Sequence, residues 1–317
     1  MAKAGVIETP RTYVSGLALW SALGIVYVVW GSTYLGIRIV VDVAGQPPLF
    51  PTGARFLIAG SVLALIVMAR EGTRALVVPW REASSSVLLG FLFLCCGVGV
   101  VSVAEQTVPS GLAALLVAAM PLWVVLLRAS VGRERPHRLT WLGTTIGFIG
   151  IAVLARPGSH EDVQLWGVLL VLLATMCWGF GAFLSPRLTL PRNAFVTAVY
   201  QMWGGGLILL IAGISFGEFG DFSFAAVPAA GWWAFAYLTL VGSIVAYSAF
   251  VWLLNHAPVS LTTTYAYINP VVAVFLGWLI LSEPVTTSVV VGGSLAVLGV
   301  ALVVRAERPN QPKSLTI

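Results

Sequence analysis

The second half of this chain repeats the first. Pro109 recurs as Pro258, Pro121 as Pro270, Glu134 as Glu283, Gly143 as Gly292, Gly150 as Gly299 and Arg156 as Arg305, all at one offset of 149 residues. The pair Trp30-Gly31 recurs as Trp178-Gly179 at an offset of 148. Ten apolar stretches run through the chain, at roughly 15–37, 48–69, 84–104, 109–131, 139–155, 163–185, 194–216, 229–254, 258–281 and 286–304. Each approaches the ~20 residues that cross a bilayer core as a helix. Five spans per copy is an odd number, so the two copies enter the membrane upside down relative to each other. Inverted repeats are a recurrent plan of secondary transporters, which open alternately to two sides around a site at the repeat interface.

Composition agrees with a membrane protein. Of the 317 residues 59% are hydrophobic and only 9% charged, with a mean hydropathy of +0.96, against about 25% charged in soluble domains. The lipid bilayer is therefore the expected surrounding. The sequence pI of 9.4 does not point to nucleic acid, because the basic residues fall in short connections, where they set orientation. The three cysteines, Cys95, Cys96 and Cys177, sit inside apolar segments with neither disulfide nor metal spacing. The first stretch is too long for a signal-peptide core and lacks a small-residue cleavage pattern, so it is expected to stay as a span. The domain division is one five-helix repeat over 13–156 and a second, inverted, over 163–305.

With the amino terminus in the cytoplasm, the cytoplasmic segments hold 14 of the 17 Lys and Arg residues; Arg38 and Arg156 fall outside and Arg55 lies within a span. That asymmetry obeys the positive-inside rule and puts both termini in the cytoplasm.

Ionisable and hydrogen-bonding groups inside spans are candidate functional residues. Arg55 lies about two turns into the second span. Glu105 ends the third on the same side, and an Arg55–Glu105 ion pair would make a charge pair or gate there. Arg38 ends the first span nearby. Trp30 and Trp178 are repeat-matched and deep in their spans. Tyr200 and Gln201 in the seventh span, Tyr247 in the eighth, and Thr262, Thr263, Thr264, Tyr265 and Asn269 in the ninth add neutral donors and acceptors. Tyr265 and Asn269, four apart, share a helix face. Pro121 and Pro270 interrupt matched spans and are candidate hinges. Gly143, Gly147 and Gly150, with Gly292, Ala296 and Gly299, make small-residue faces suited to close helix packing. His256, at an inner helix end, could titrate near neutral pH. No carboxylate lies at the middle of a span, which favours a facilitator over a proton antiporter. No phosphate-binding loop, metal spacing or catalytic constellation is present, so the chain is not expected to be an enzyme or to need a cofactor.

Val29-Trp30-Gly31-Ser32-Thr33-Tyr34, Arg55-Phe56, Pro109-Ser110-Gly111 and Tyr267-Ile268-Asn269-Pro270-Val271 together resemble the EamA-type branch of the drug/metabolite transporter superfamily, over roughly 15–304. The resemblance implies an all-α basket of ten transmembrane helices, the first four of each copy around a central cavity and the fifth and tenth outside. It also implies both termini in the cytoplasm of a bacterial cell, and kinship with inner-membrane exporters of amino acids and related metabolites. Trp30, Ser32, Tyr34, Trp178, Tyr200, Gln201, Tyr247, Tyr265 and Asn269 are read here as the expected substrate-binding residues, a role inferred from the side chains themselves. The cargo expected is a small amphipathic or zwitterionic molecule, carried by alternating access, with a monomer as the working unit. The rival readings are export of lipophilic cations and proton-coupled antiport of a metabolite.

Overall fold

The computed structural model describes residues 16–133, 135–155, 163–257 and 264–306, and all its regular structure is helical. Eight helices are long and apolar enough to cross a membrane and two shorter apolar ones complete the set. In chain order they are α1 (Gly16–Val43), α2 (Leu49–Glu71), α3 (Trp80–Ala104), α4 (Ser110–Ser130), α5 (Arg138–Leu154), α6 (Leu165–Arg187), α7 (Ala194–Ser215), α8 (Ala229 to His256), α9 (Tyr265–Leu281) and α10 (Thr287–Ala306). Glu134, Arg156, Pro258, Thr262, Thr263 and the side chain of His256 lie outside what is described.

Local sequence explains where these helices begin. Pro48, Pro79, Pro109 and Pro228 directly precede α2, α3, α4 and α8. A proline costs nothing there, because no upstream carbonyl waits for its missing N–H. Asn193 caps α7 by accepting from Phe195 N at 2.9 Å.

Two boundaries differ from the expectation. α1 runs on to Val43 rather than ending near 37, because Arg38 and Asp42 pair at 3.0 Å one turn apart and neutralise each other's charge. α4 is broken at Ala118–Ala119, and its second piece starts at Met120 with Pro121 in the first turn. Pro270, by contrast, lies inside the continuous α9. Widened π-helical turns interrupt α1 (Val26–Trp30 and Ile39–Val43), α3 (Phe91–Gly99) and α8 (Leu238–Val245). Such turns insert a residue into the helical register and occur often at functional sites.

The helices pack as α2 on α7, α5 on α10, α4 on α9, α3 on α6 and α1 on α8. Exchanging each helix of the first half for its counterpart in the second maps this set of pairs onto itself. Small residues make the closest of these contacts, as expected for helices that gain no hydrophobic drive from each other in lipid. A Cβ on Gly143 would stand 2.7 Å from Gly299 O, and one on Gly150 2.6 Å from Gly292 O, so α5 and α10 meet backbone to backbone. The same holds for α2 and α7, where a Cβ on Gly53 would stand 2.8 Å from Gly206 O.

α4 is the most enclosed helix. Leu112, Leu116 and Leu122 are buried against Val168 and Val171 of α6 and Leu154 of α5. Leu65, Leu169, Ile211 and Leu279 point outward and are more than half exposed, the faces that acyl chains would cover.

At one end of the bundle, carboxylates from one half close helix starts in the other. Glu218 follows Gly217, whose φ of +86° reverses the chain after α7. Its Oε2 accepts from Leu49 N at 2.9 Å and Phe50 N at 2.6 Å, the first free N–H groups of α2. Glu283 follows Ser282, also left-handed at φ +55°, after α9. It accepts from Ser110 N at 2.8 Å, Gly111 N at 3.1 Å and Ser110 Oγ at 3.0 Å at the start of α4. Arg38, Glu105, Glu218 and Glu283 thus gather at this end, called the Arg38 end below.

Candidate functional site

A cavity of about 1050 Å³, counting its open mouth, lies between the two halves. α1 contributes Trp30, Thr33 and Tyr34, α2 Arg55, α6 Thr175 and Trp178, α8 Ser243 and Tyr247, and α9 Tyr265 and Asn269. Three of the four π-helical turns present residues to it: Trp30 in α1, Gly97 and Val98 in α3, and Gly242 and Ser243 in α8.

One wall is aromatic. The Trp30 ring lies 4.9 Å from Phe250, 5.3 Å from Tyr265 in an edge-on arrangement and 6.3 Å from Tyr247. Trp178 packs on Phe93 at 5.2 Å. Asn269, with its amide nitrogen turned toward the two carbonyls, donates to Tyr265 O and Tyr27 O, both at 3.2 Å. Its amide oxygen is then left as an acceptor beside Pro270. Tyr27 also bonds Thr264 Oγ1 at 2.5 Å, tying α1 to the start of α9.

Arg55 is the one charged side chain among the described residues that line the cavity. It is 6% exposed, its Nε donates to Ser243 Oγ at 2.9 Å, and its Nη1 is buried without a hydrogen-bond partner. The expected Arg55–Glu105 ion pair is not formed: both Glu105 carboxylate oxygens are buried and unpartnered. Glu105 does not line the cavity; its backbone oxygen accepts instead from Arg38.

Three other expected substrate contacts lie elsewhere. Ser32 turns to Tyr237 of α8, with its hydroxyl 2.5 Å from the phenol and 2.8 Å from Val28 O. Tyr200 donates to Leu76 O at 2.8 Å, between α2 and α3, and packs on Trp203. Gln201 is buried behind the wall, where its side-chain oxygen accepts from the Tyr247 hydroxyl. Pro121 lies just past the cavity-lining Met120, whereas Pro270 lines the cavity itself.

Sequence reasoning passed over Thr33, Thr175 and above all Ser243. The available signal was a hydroxyl within an apolar run at Gly242-Ser243, close to the Tyr247 already singled out. Among the described residues no cluster of His, Cys, Asp or Glu could hold a metal ion.

The chain matches the EamA-like transporter family twice, over residues 18–156 and 165–305. It is 39% identical over 263 residues to YedA of Escherichia coli K12, named as an uncharacterized inner membrane transporter, with 82% of each chain covered. It is 29% identical to a protein of Streptantibioticus cattleyicolor named as a probable terminal-alkyne amino-acid exporter, covering 91% of this chain and 93% of that one. A solved crystal structure superposes with a TM-score of 0.59 at 18% identity, over 91% of this chain and 96% of the other, a likeness of fold alone. Two family matches that together span nearly all ten helices place this chain in the EamA-like transporter family.

Proposed function

We propose that this protein is a secondary transporter that exports amino acids or related small carboxylates across a bacterial inner membrane by alternating access, without chemistry and with both termini in the cytoplasm. The observation that carries the cargo class is Arg55. A buried guanidinium with a free Nη1, held by a neutral serine in an otherwise apolar and aromatic cavity, calls for a negatively charged partner. A cargo carboxylate supplies that charge. Trp30, Tyr247 and Tyr265 line the cavity and would pack against the ammonium group and the apolar side chain of such a cargo. Lipophilic cations fit this cavity poorly, since its one charge would repel them. The amino-acid exporter among the relatives supports the same class. None of the described lining residues is a carboxylate, which favours cargo running down its own gradient.

Counterflow in proteoliposomes tests the proposal. Vesicles loaded with unlabelled amino acids should take up labelled ones, with esters and amides of the same compounds failing to compete. Competition by esters as strong as by free acids would remove the role given to Arg55. Exchange of cationic drugs with no exchange of any amino acid would overturn the cargo class.

A further inference from the structure

Glu105 is the one carboxylate among the described residues that is fully buried, and neither of its oxygens has a hydrogen-bond partner. It lies one residue past the end of α3, at the Arg38 end. The nearby cation does not serve it. Arg38 pairs with Asp42 and donates to the backbone oxygens of Glu105 and Val108, so its contacts are with another carboxylate and with peptide carbonyls.

Among the described residues, the titratable and charged groups that face Glu105 are Tyr34 and Arg38 from α1 and Glu283 from the α9–α10 connection. Tyr34 also lines the cavity, and Glu283 is engaged at the start of α4. The stretches of α4 and α6 packed nearby, around Ser110 and Gly167, carry no ionisable side chain. Glu105 therefore stands between the cavity and the surface, in the layer where Arg38 and Glu283 bridge α1, the α3–α4 connection, the start of α4 and the α9–α10 connection.

An ionised carboxylate buried without a partner costs several kcal/mol, and the neutral acid avoids that cost. Burial pushes the Glu105 carboxyl well above the usual carboxylate range, the charge of Glu283 pushes the same way, and Arg38 opposes both. The sign follows. An acid whose pKa is raised in one conformer holds its proton there at pH values where a water-exposed glutamate, with a pKa of about 4.3, has lost it. This conformer is then favoured at low pH and loses ground as pH climbs from that value toward the raised one.

We propose that Glu105 is a proton-binding site, occupied while the Arg38 end is closed and emptied into the adjoining compartment when that end opens. Because Glu105 is outside the cavity lining, the proton enters and leaves from one side. It alters how fast the Arg38 end opens and does no net work on cargo.

The first test is spectroscopic and independent of cargo. Difference infrared spectra of the reconstituted protein at neutral pH, wild type minus Glu105→Gln, should show the carbonyl stretch of a protonated carboxylic acid. Glu105→Asp should retain a shifted band. The second test rests on the transporter reading. The counterflow rate of wild type should respond to pH on the Arg38 side by up to about tenfold per unit, the limit for one linked proton, and Glu105→Gln should be flat. No lost band in Glu105→Gln, or the same pH profile in both proteins, would overturn the proposal. A wild type that carries no amino acid would defeat the cargo reading alone, and the infrared result would still decide the proton site.

Discussion

Arg55 Nε donates to Ser243 Oγ at 2.9 Å, and that hydroxyl donates onward to Leu238 O at 3.0 Å, five residues back in the π-helical turn of α8. The widened turn thus supplies the acceptor that orients the serine, and the serine holds the guanidinium at the cavity wall. A charge-assisted hydrogen bond is worth about 1.5–3 kcal/mol, roughly 10- to 150-fold in affinity. Arg55→Gln should raise the half-saturating concentration of a carboxylate cargo by about that factor. Arg55→Lys should restore part of it, since a lysine keeps the charge and loses the planar fork. Ser243→Ala should weaken binding less, because the guanidinium keeps its charge and loses its tether. Concentration-dependent counterflow on the three variants checks the order.

The glycines of the α5–α10 seam should tolerate no large side chain. Gly150→Leu drives a side chain into Ala296 and the Gly292 carbonyl; overpacking of this kind costs about 1–3 kcal/mol or more. Gly24→Ala meets nothing within 4 Å and should be neutral. Thermal unfolding in detergent should show a clear drop for the first variant and none for the second.

Glu283 and Glu218 are helix caps supplied across the halves. Glu283→Ala frees Ser110 N and Gly111 N and should cost about 0.5–2 kcal/mol, the range for losing an N-terminal cap. Glu283→Gln keeps an acceptor oxygen and should lie between the variant and wild type. The readout is the thermal midpoint, together with protease cleavage near residue 110.

The arginine distribution makes a geometric prediction. Val77, 80% exposed between α2 and α3, and Phe224, 68% exposed between α7 and α8, should face opposite compartments. In intact cells an impermeant thiol reagent should label Phe224→Cys and spare Val77→Cys, with the reverse in inside-out vesicles.

Much of this architecture is legible in the residues. Matched prolines and glycines reveal the two halves, and Gly143, Gly150, Gly292 and Gly299 mark the seam that the backbone contacts make. Trp30, Tyr34, Trp178, Tyr247, Tyr265 and Asn269 line one cavity; depth in the spans singled out the two tryptophans, and hydrogen-bonding groups within apolar runs singled out Tyr247, Tyr265 and Asn269. The directions of Ser32 and Tyr200 were not legible. One residue of register turns a side chain by about 100°, and Ser32 follows the π-helical turn Val26–Trp30, which adds such a residue. The partner of Arg55 was hidden for a related reason. Charge alone selects Glu105, whereas the fold tucks Glu105 under Arg38 and brings in a serine 188 positions away. The role of Glu283 was missed because a capping carboxylate on a distant loop leaves no local pattern.

The carboxylate closures also have a meaning in time. Leu49 N waits for Glu218, 169 residues later in the chain, and Ser110 N waits for Glu283, 173 residues later. At ~5–20 residues per second of synthesis, each helix start stands open for about 10–30 s after it leaves the ribosome. During that interval the first half depends on water for the bonds that its own sequence does not supply. Two helix starts of the first half therefore gain their final partners only when the second half arrives, and a chain stopped after α5 would keep both of them without those caps.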